Sequence, residues 1–593
     1  MSTMFHSEQL YSNGFQENYS SPMVFGILHG EKATTQAQFQ LLSDFRNLGD
    51  SPSQVNSSDS ACSTIAEEDI VCPNYQHEHH VQQFFTEFGS SVDSCFRIAS
   101  APLQPCQEVN ITKLLKIESE ISELIEPQKE SPISLPSLGV LNNFGSSLRR
   151  LECESYNVPV YETAFTTPSN GYMSTHAVLR LAGEKFIQSS QRLDDFSFSS
   201  HPFPASLYGH PYEETRDVEL VEYILASAEK VGRQQYDRAS KILNLCDELC
   251  SNKANPVRRL VYFFSEALRE KIDRETGRIT TKGLGKKQPF DIKEALMSPC
   301  AAAFAYHQKV PFHQLSQFTG IQLILESVGR ARRVHIIDLE VRNGTHCTVL
   351  MQALAARGEC SLEYLKITAV GTKSKSKIEE TGKRLMEFAR SMSIPFSFNV
   401  VMVPSMLDLE KDLFDLEFEE AVAVYSPFLL CTMLVKPEWL DSLMRVITII
   451  NPRVMVVAEI ESNHNSPVFV NRFIEALFYY STFFDALEDC IDHRDPNRCT
   501  LESMYLAQGI RNVVAAEGGE RTSRHVKINV WRAFFARFGM VEMEISSSSM
   551  YQANLLLKNF ACGSSCTLDR DGKCLMIGWK GAPVYSLSAW NFL

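Results

Sequence analysis

The sequence predicts an α/β protein with a mainly parallel sheet, a helical cap before that sheet and a long front region without a core. Three observations predict this. From residue 334 short, continuous apolar runs alternate with helical stretches, the pattern of strands buried on both faces by crossover helices. Three amphipathic helices precede these runs. Residues 1 to about 210 sustain neither a 3.6- nor a 2-residue period.

The front region, 1–210, is rich in Ser, Gln, Asn, Glu, Pro and scattered Phe. Such a chain buries too little apolar surface to offset its ordering entropy, so it is expected to be mostly disordered and regulatory. Two islands stand out: Phe84, Phe85 and Phe88 among polar residues, and Leu114, Ile117, Ile121, Leu124 and Ile125 at helical spacing before Pro127. Either is an incidental cluster or a short partner-binding segment that folds on docking.

From 211 to about 290 the text reads as a helical cap. Val218, Val221, Leu225, Ala228 and Val231 share one helical face. Ala239, Ile242, Leu243, Cys246 and Leu249 form a second stripe. After Asn255-Pro256, a capping residue with proline at N1, a third carries Leu260, Phe264, Ala267, Leu268 and Ile272. Each stripe must be covered, by this chain's own core or by a partner. The stretch 277–290 reads as an exposed basic loop.

The core, 291–593, has candidate strands at 334–338, 365–370, 396–403, 421–426 and 453–460, with helices at 345–357 and 376–393 between them. Phe469, Phe473, Leu477, Tyr480 and Phe484 line a long helix; Val526, Val530, Trp531 and Phe534 line another, capped near Thr522 and ended by Gly539. A strand at 539–545 and a hairpin over 566–579, turning at Asp571-Gly572, follow. Five parallel strands with a closing hairpin describe the methyltransferase-like variant of the Rossmann fold.

Formal net charge is −14, and the first 100 residues hold only Lys32, Arg46 and Arg97 against twelve acids. Phosphate contacts dominate non-specific nucleic-acid affinity, so this segment repels DNA. Residues 1–20 are polar, which leaves no expected secretory signal. No apolar run approaches the roughly 20 residues that cross a bilayer, and the 16 cysteines are accordingly expected to be thiols.

Several constellations invite chemistry. Asp338 ends the first strand before the loop Leu339-Glu340-Val341-Arg342-Asn343-Gly344, the place where such a fold offers glycines to S-adenosylmethionine. There is one glycine, and the second strand ends Val370-Gly371-Thr372 without the acid that binds ribose hydroxyls. The reading is a retained scaffold in which Asp338 organises its loop. His335, inside a strand, reads as a satisfied core residue. Glu459, Glu461 and His464 cluster at a strand end without a nucleophile and read as loop organisers. Cys562, Cys566 and Cys574 have no common zinc spacing. Trp579 and Trp590 read as buried aromatics. No catalytic residue, cofactor or metal is assigned.

The order of motifs resembles the plant-specific GRAS family of transcriptional regulators. Its VHIID motif stands as Val334-His335-Ile336-Ile337-Asp338, between leucine-rich flanks at about 217–275 and at 378–389 with Leu385. Its PFYRE region is similar to 466–487, at Pro467, Phe473 and Tyr479 or Tyr480, and runs on to Trp531; its closing motif is Ser588-Ala589-Trp590, with Trp579 upstream. Gln508-Gly509 stands where an Arg-Glu pair is expected, and neither a DELLA nor a VHYNP segment occurs in the front half. The resemblance implies a nuclear regulator that acts by contact with DNA-binding transcription factors and other GRAS proteins. The cap residues Val218, Val221, Leu225, Ile242, Leu249, Leu260, Phe264 and Leu268 would be its docking or dimerising surface. An alternative is direct DNA binding through loop 277–288 with Arg330, Arg332 and Arg333, and another is a methyl-donor-dependent enzyme or ligand sensor.

Overall fold

The computed structural model describes residues 140–141, 173–191, 212–286, 291–297, 300–357 and 361–592. The two apolar islands of the front region lie outside the described residues.

The strands are β1 (Arg333–Asp338), β2 (Tyr364–Gly371), β3 (Phe396–Met402), β4 (Ala421–Pro427), β5 (Val454–Ile460), β6 (Met540–Met543), β7 (Cys566–Asp571), β8 (Cys574–Trp579) and β9 (Ala582–Phe592). They form one sheet in the order β3-β2-β1-β4-β5-β9-β8-β7, with β6 paired on β9. The first five are parallel, and β9 enters antiparallel beside β5 with Val456 opposite Ala589 and Met455 opposite Trp590. This is the expected methyltransferase-like arrangement, with one difference. The hairpin β7–β8 turns at Gly572 (φ +58°) as expected, but it does not close the sheet alone. The strand that joins it to β5 is β9, made of residues that sequence patterning leaves as a tail. Its serines and alanine obscure the apolar signal because Ser586 and Ser588 are buried in the interior of the sheet.

Successive residues of the strands face two cores. Val334, Ile336 and Val456 face one, and Ile337, Val424, Val457 and Trp590 the other, as the two-residue strand period demands. Helices α1 (Thr175–Gln191), α2 (Tyr212–Gly232), α3 (Tyr236–Leu249) and α4 (Pro256–Thr276) make the cap. Helix α5 (Ala301–Lys309) leads into α6 (Pro311–Val328); α7 (Thr345–Ala355), α8 (Lys375–Ser391) and α9 (Pro437–Ile450) are crossovers. Helix α10 (Phe469–Cys490) is followed by α11 (Ala507–Val514), α12 (Ile528–Ala536) and α13 (Ser547–Leu557).

The cap begins earlier than residue 211. Helix α1 lies in the stretch expected to lack structure, yet Val178, Leu179 and Ala182 are buried and the Thr175 amide donates to Asp485 Oδ1 at 3.2 Å. Leu181, Phe186 and Ile187 pack beside them, a strip set between polar stretches in the sequence; α10 supplies its other half. Helix α10 is buried all round from Arg472 to Leu487, the mark of a helix inside a protein rather than on its surface. Asn255 caps α4 by accepting from the Arg258 amide at 3.0 Å, and Gly277 ends it at φ +71°. Thr522 does not cap α12. Its amide and hydroxyl donate to Asn512 Oδ1, and the helix starts at Ile528 under a different acceptor described below.

One cysteine expectation changes. Cys490 and Cys562 form a disulfide with Cα atoms 5.8 Å apart, tying the end of α10 to the loop after α13. Their separation of 72 residues hides the pair from sequence reading. Cys566 and Cys574 face opposite cores, so no zinc triad assembles.

Gly509 explains the departure at Gln508-Gly509. A Cβ there would meet the Tyr480 hydroxyl at 2.1 Å, so α11 lies directly on α10. Alanine in a helix ordinarily gains about 1 kcal/mol over glycine. Here overpacking against a buried ring reverses the sign, and Gly509→Ala is expected to cost about 1–3 kcal/mol. Urea unfolding checks this; a stabilised variant would show that the two helices have room to part.

A filled edge at the carboxyl ends of the parallel strands

The carboxyl ends of β1, β2, β4 and β5 meet where a cofactor enters folds of this kind. Asp338 ends β1 and is fully buried. One of its oxygens accepts the Glu340 amide at 3.0 Å; the other takes His346 Nε2 at 2.5 Å and the Cys347 thiol at 3.7 Å. Burial and the neighbouring Asp338 charge push the Cys347 thiol far up, so it stays a donor. Asp338 thus organises its own loop and the start of α7.

The glycines are used the same way. Gly344 sits at φ +75°, and a Cβ there would meet Thr381 Cγ2 at 2.8 Å. Gly371, where a ribose-binding acid would stand, would meet Ile378 Cδ1 at 2.5 Å and Met402 Sδ at 3.0 Å. The close backbone approach that glycine permits is taken by α8, not by a ligand. Arg342 closes the front, stacked over Phe428 at 5.3 Å and donating to the Pro427 carbonyl at 3.4 Å. S-adenosylmethionine does not fit these residues as they stand.

The other candidates are likewise engaged. His335 shares Nε2 with Thr368 Oγ1 at 2.8 Å and Nδ1 with Glu420 at 3.1 Å. Burial, aided by Lys366, lowers its pKa to about 3, so the ring is neutral. Glu459 accepts the amides of Leu430 and Cys431 at 2.8 and 3.3 Å, and Glu461 accepts that of Ile528 at 3.0 Å. Each carboxyl therefore caps a helix start contributed by another segment. Burial raises them to about 8 and about 7. His464 hydrogen-bonds with Ser462 Oγ at 2.9 Å between Tyr479, Tyr480 and His525. Ligand atoms of Cys431, Glu459 and His525 lie within 4.8 Å of one another. The Arg521 charge that helps depress His525 also opposes a divalent cation there, so the trio is a poor metal site.

The motif residues other than Pro467 are buried. Phe473 is buried and packs on Phe264 at 5.3 Å. Trp579 donates to Asp485 at 3.1 Å, and Trp590 to Ser588 Oγ at 2.9 Å. Trp531 is buried in the second core, and Pro467 is exposed at the entry to α10. The cap stripe does not form a docking surface. Val218, Val221, Leu225, Ile242, Leu260, Phe264 and Leu268 are at most 3% exposed and Leu249 is half-buried, because α10 and the neighbouring cap helices cover them. Among the described residues, three of the cations considered for DNA are partnered: Arg332 with Glu363, Arg333 with Glu417 and Lys282 with Asp247. What sequence reading missed is an acidic surface. Between β3 and β4, Leu407, Leu413 and Phe418 are exposed, the last completely, among the exposed Glu410, Asp412, Asp415 and Glu419. Met406, Leu409 and Phe414 hold the segment down.

The buried histidines set a pH profile. His335 and His525 are held at about 3, His176 and His307 at about 4, and His313 and His464 well below normal, in each case chiefly by burial. The folded chain then binds fewer protons than the unfolded one, in which histidine titrates near ~6.5. Their contribution is present above that value and lost as pH falls toward about 4. Glu222, Glu459 and Glu461 work the other way. Raised to about 7, 8 and 7, they favour the fold in acid and withdraw that support toward pH 8. Six histidines outweigh three glutamates below neutrality, so the urea midpoint is expected to fall on acidification from about 6.5 to about 4.5. A flat profile would contradict burial of the rings.

Fold and edge together define a class: a methyltransferase-like Rossmann protein under a helical cap, with the cofactor edge filled by its own side chains. Comparison with known proteins then places the chain. Residues 220–591 match the GRAS domain family, and the chain belongs to that family. It is similar to the DELLA protein GAI1 of Vitis vinifera, 31% identical over 377 residues, covering 63% of this chain and 62% of that protein. It is similar to the DELLA protein RGA of Arabidopsis thaliana at 32% over 379 residues, with the same coverage. The chain thus spans less than two thirds of the length of these relatives. The crystal structure of SCL7 in Oryza sativa superposes with a TM-score of 0.56 at 25% identity, covering 63% of this chain and 99% of that one.

Proposed function

We propose that the protein is a nuclear transcriptional co-regulator of plant signalling or development, acting by contact with DNA-binding factors and with other members of its family. The observation that supports this best is the use of Asp338, Gly344 and Gly371 to hold the loop and α8 in place. An edge spent on internal packing leaves recognition, not turnover, as the work of the folded half. Its partners are proteins that carry the basic surface needed to bind DNA phosphates. The acidic segment with exposed Leu407, Leu413 and Phe418 suits such a surface, since apolar anchors rimmed by charge carry most of a contact's energy.

The test uses the full chain in plant cells. Tethered to a heterologous DNA-binding domain, it is expected to change reporter output; a flat response would overturn the co-regulator reading. Untethered, its promoter occupancy is expected to fall on the order of tenfold when Leu413 and Phe418 are both replaced by serine. Equal occupancy would exclude this surface as the contact while leaving the reading itself to the tethered assay.

A further inference from the structure

Arg472, in the first turn of α10, and Arg521 and Arg524, in the loop before α12, converge although about fifty residues separate them. Arg472 and Arg521 are each 2% exposed and Arg524 is half-buried. Arg472 donates to the carbonyls of Ser466 and Pro467 at 3.1 and 3.2 Å and pairs with Glu517. Arg521 donates to the His464 carbonyl and has no ion pair among the described residues. Arg524 donates to Asn465 Oδ1 at 3.4 Å and to the Gly518 carbonyl at 3.0 Å, again without a carboxylate. Lys271 of α4 takes the same Glu517 oxygen at 2.8 Å. Glu517 therefore pairs with one of the three guanidiniums and with Lys271, which Glu275 also neutralises at 3.2 Å, and no ion pair reaches Arg521 or Arg524 among the described residues.

Burying a charge without its counter-ion costs several kcal/mol, by roughly the desolvation of one ion. The Nε–H groups of Arg472, Arg521 and Arg524 are moreover buried without an acceptor. Burial and the charges of Arg472 and Arg524 pull Arg521 down to about 10. The arrangement is not a loose loop. Asn512 of α11 accepts from the Thr522 amide at 2.7 Å and donates to the Ser523 carbonyl at 2.9 Å, holding the arginine loop to the core. On the solvent side lie exposed Gly518, at φ +53°, and Gly519, each with open space where a side chain would be.

We propose that Arg521 and Arg524, backed by Arg472, form a binding site for a phosphate-class oxyanion, entered past Gly518 and Gly519. A phosphate dianion supplies the acceptors and charge this cluster lacks, and guanidinium forks match its oxygens. The same chemistry is offered by free inorganic phosphate or by a phosphorylated serine.

The experiment follows thermal unfolding of the full chain against inorganic phosphate and O-phosphoserine, with chloride at matched ionic strength as reference. A saturable rise in Tm with either anion is expected, and its absence with both would overturn the site. Stronger binding of O-phosphoserine would assign the source to a phosphorylated protein, and equal or weaker binding to free phosphate. Arg524→Gln, at a half-buried position, is expected to weaken the anion at least tenfold. An anion response identical in this variant would be a bulk solvent effect and would also overturn the site. Arg521→Met, measured without phosphate, is expected to keep or raise Tm because it removes an unpaired buried charge. A clear fall would assign Arg521 to its bond with His464 and remove it from the site.

Discussion

Glu502→Ala is expected to destabilise the protein by roughly 3–5 kcal/mol, the range for breaking a buried ion pair from one side. Arg259 of α4 is 1% exposed. Its Nε–H reaches both Glu502 oxygens at 3.1 and 3.0 Å, and its other nitrogens donate to the Ala254 carbonyl at 2.7 Å and to Glu488 at 2.8 Å. Glu502 lies in the turn before α11 and Glu488 in α10, so this one side chain locks the cap to the core. Without Glu502 the guanidinium keeps only a partly exposed partner. The double replacement Arg259→Met with Glu502→Leu is expected to recover most of the loss, since two apolar groups fill the site without desolvating charge. Urea unfolding of the three variants checks both statements. A loss below about 1 kcal/mol for the single variant, the scale of a surface pair, would mean that Glu488 neutralises Arg259 alone.

Trp590→Ala is expected to cost about 3–5 kcal/mol, the usual penalty for emptying a large aromatic site. The ring lies in the second core, 4.7 Å from Phe535, which itself stacks on Trp531 at 5.8 Å. Its indole N–H is satisfied by Ser588 Oγ two residues away. If the closing motif were instead a partner contact, the variant would unfold at the wild-type urea concentration and lose only binding. The two readings therefore predict opposite pairs of results from one urea-unfolding and one pull-down measurement.

Much of the fold was legible because its signals are local. The five parallel strands lie within two residues of where continuous apolar runs place them, and the hairpin turns at Asp571-Gly572. The roles of His335, Glu459 and Glu461 as satisfied, organising groups followed from their residue types and the lack of a nucleophile nearby. Helix α1 and strand β9 were missed for one reason: each is completed by a neighbour distant in the sequence, α10 for the first and β5 for the second. The cap stripes were read correctly as stripes, but a stripe does not say what covers it.

The sequence by itself determined the α/β class, the five parallel strands, three of the cap helices and the family, because periodicity and motif order are carried by neighbouring residues. Only the tertiary structure decided how those elements spend their side chains. It set α8 over Gly344 and Gly371, covered the cap stripe with α10, left Phe418 in solvent, and brought Arg521 and Arg524 beside Arg472 without a carboxylate of their own. These outcomes depend on which distant surfaces meet, and the free energy of a buried glycine, ring or charge is set by what it meets rather than by its neighbours in the chain.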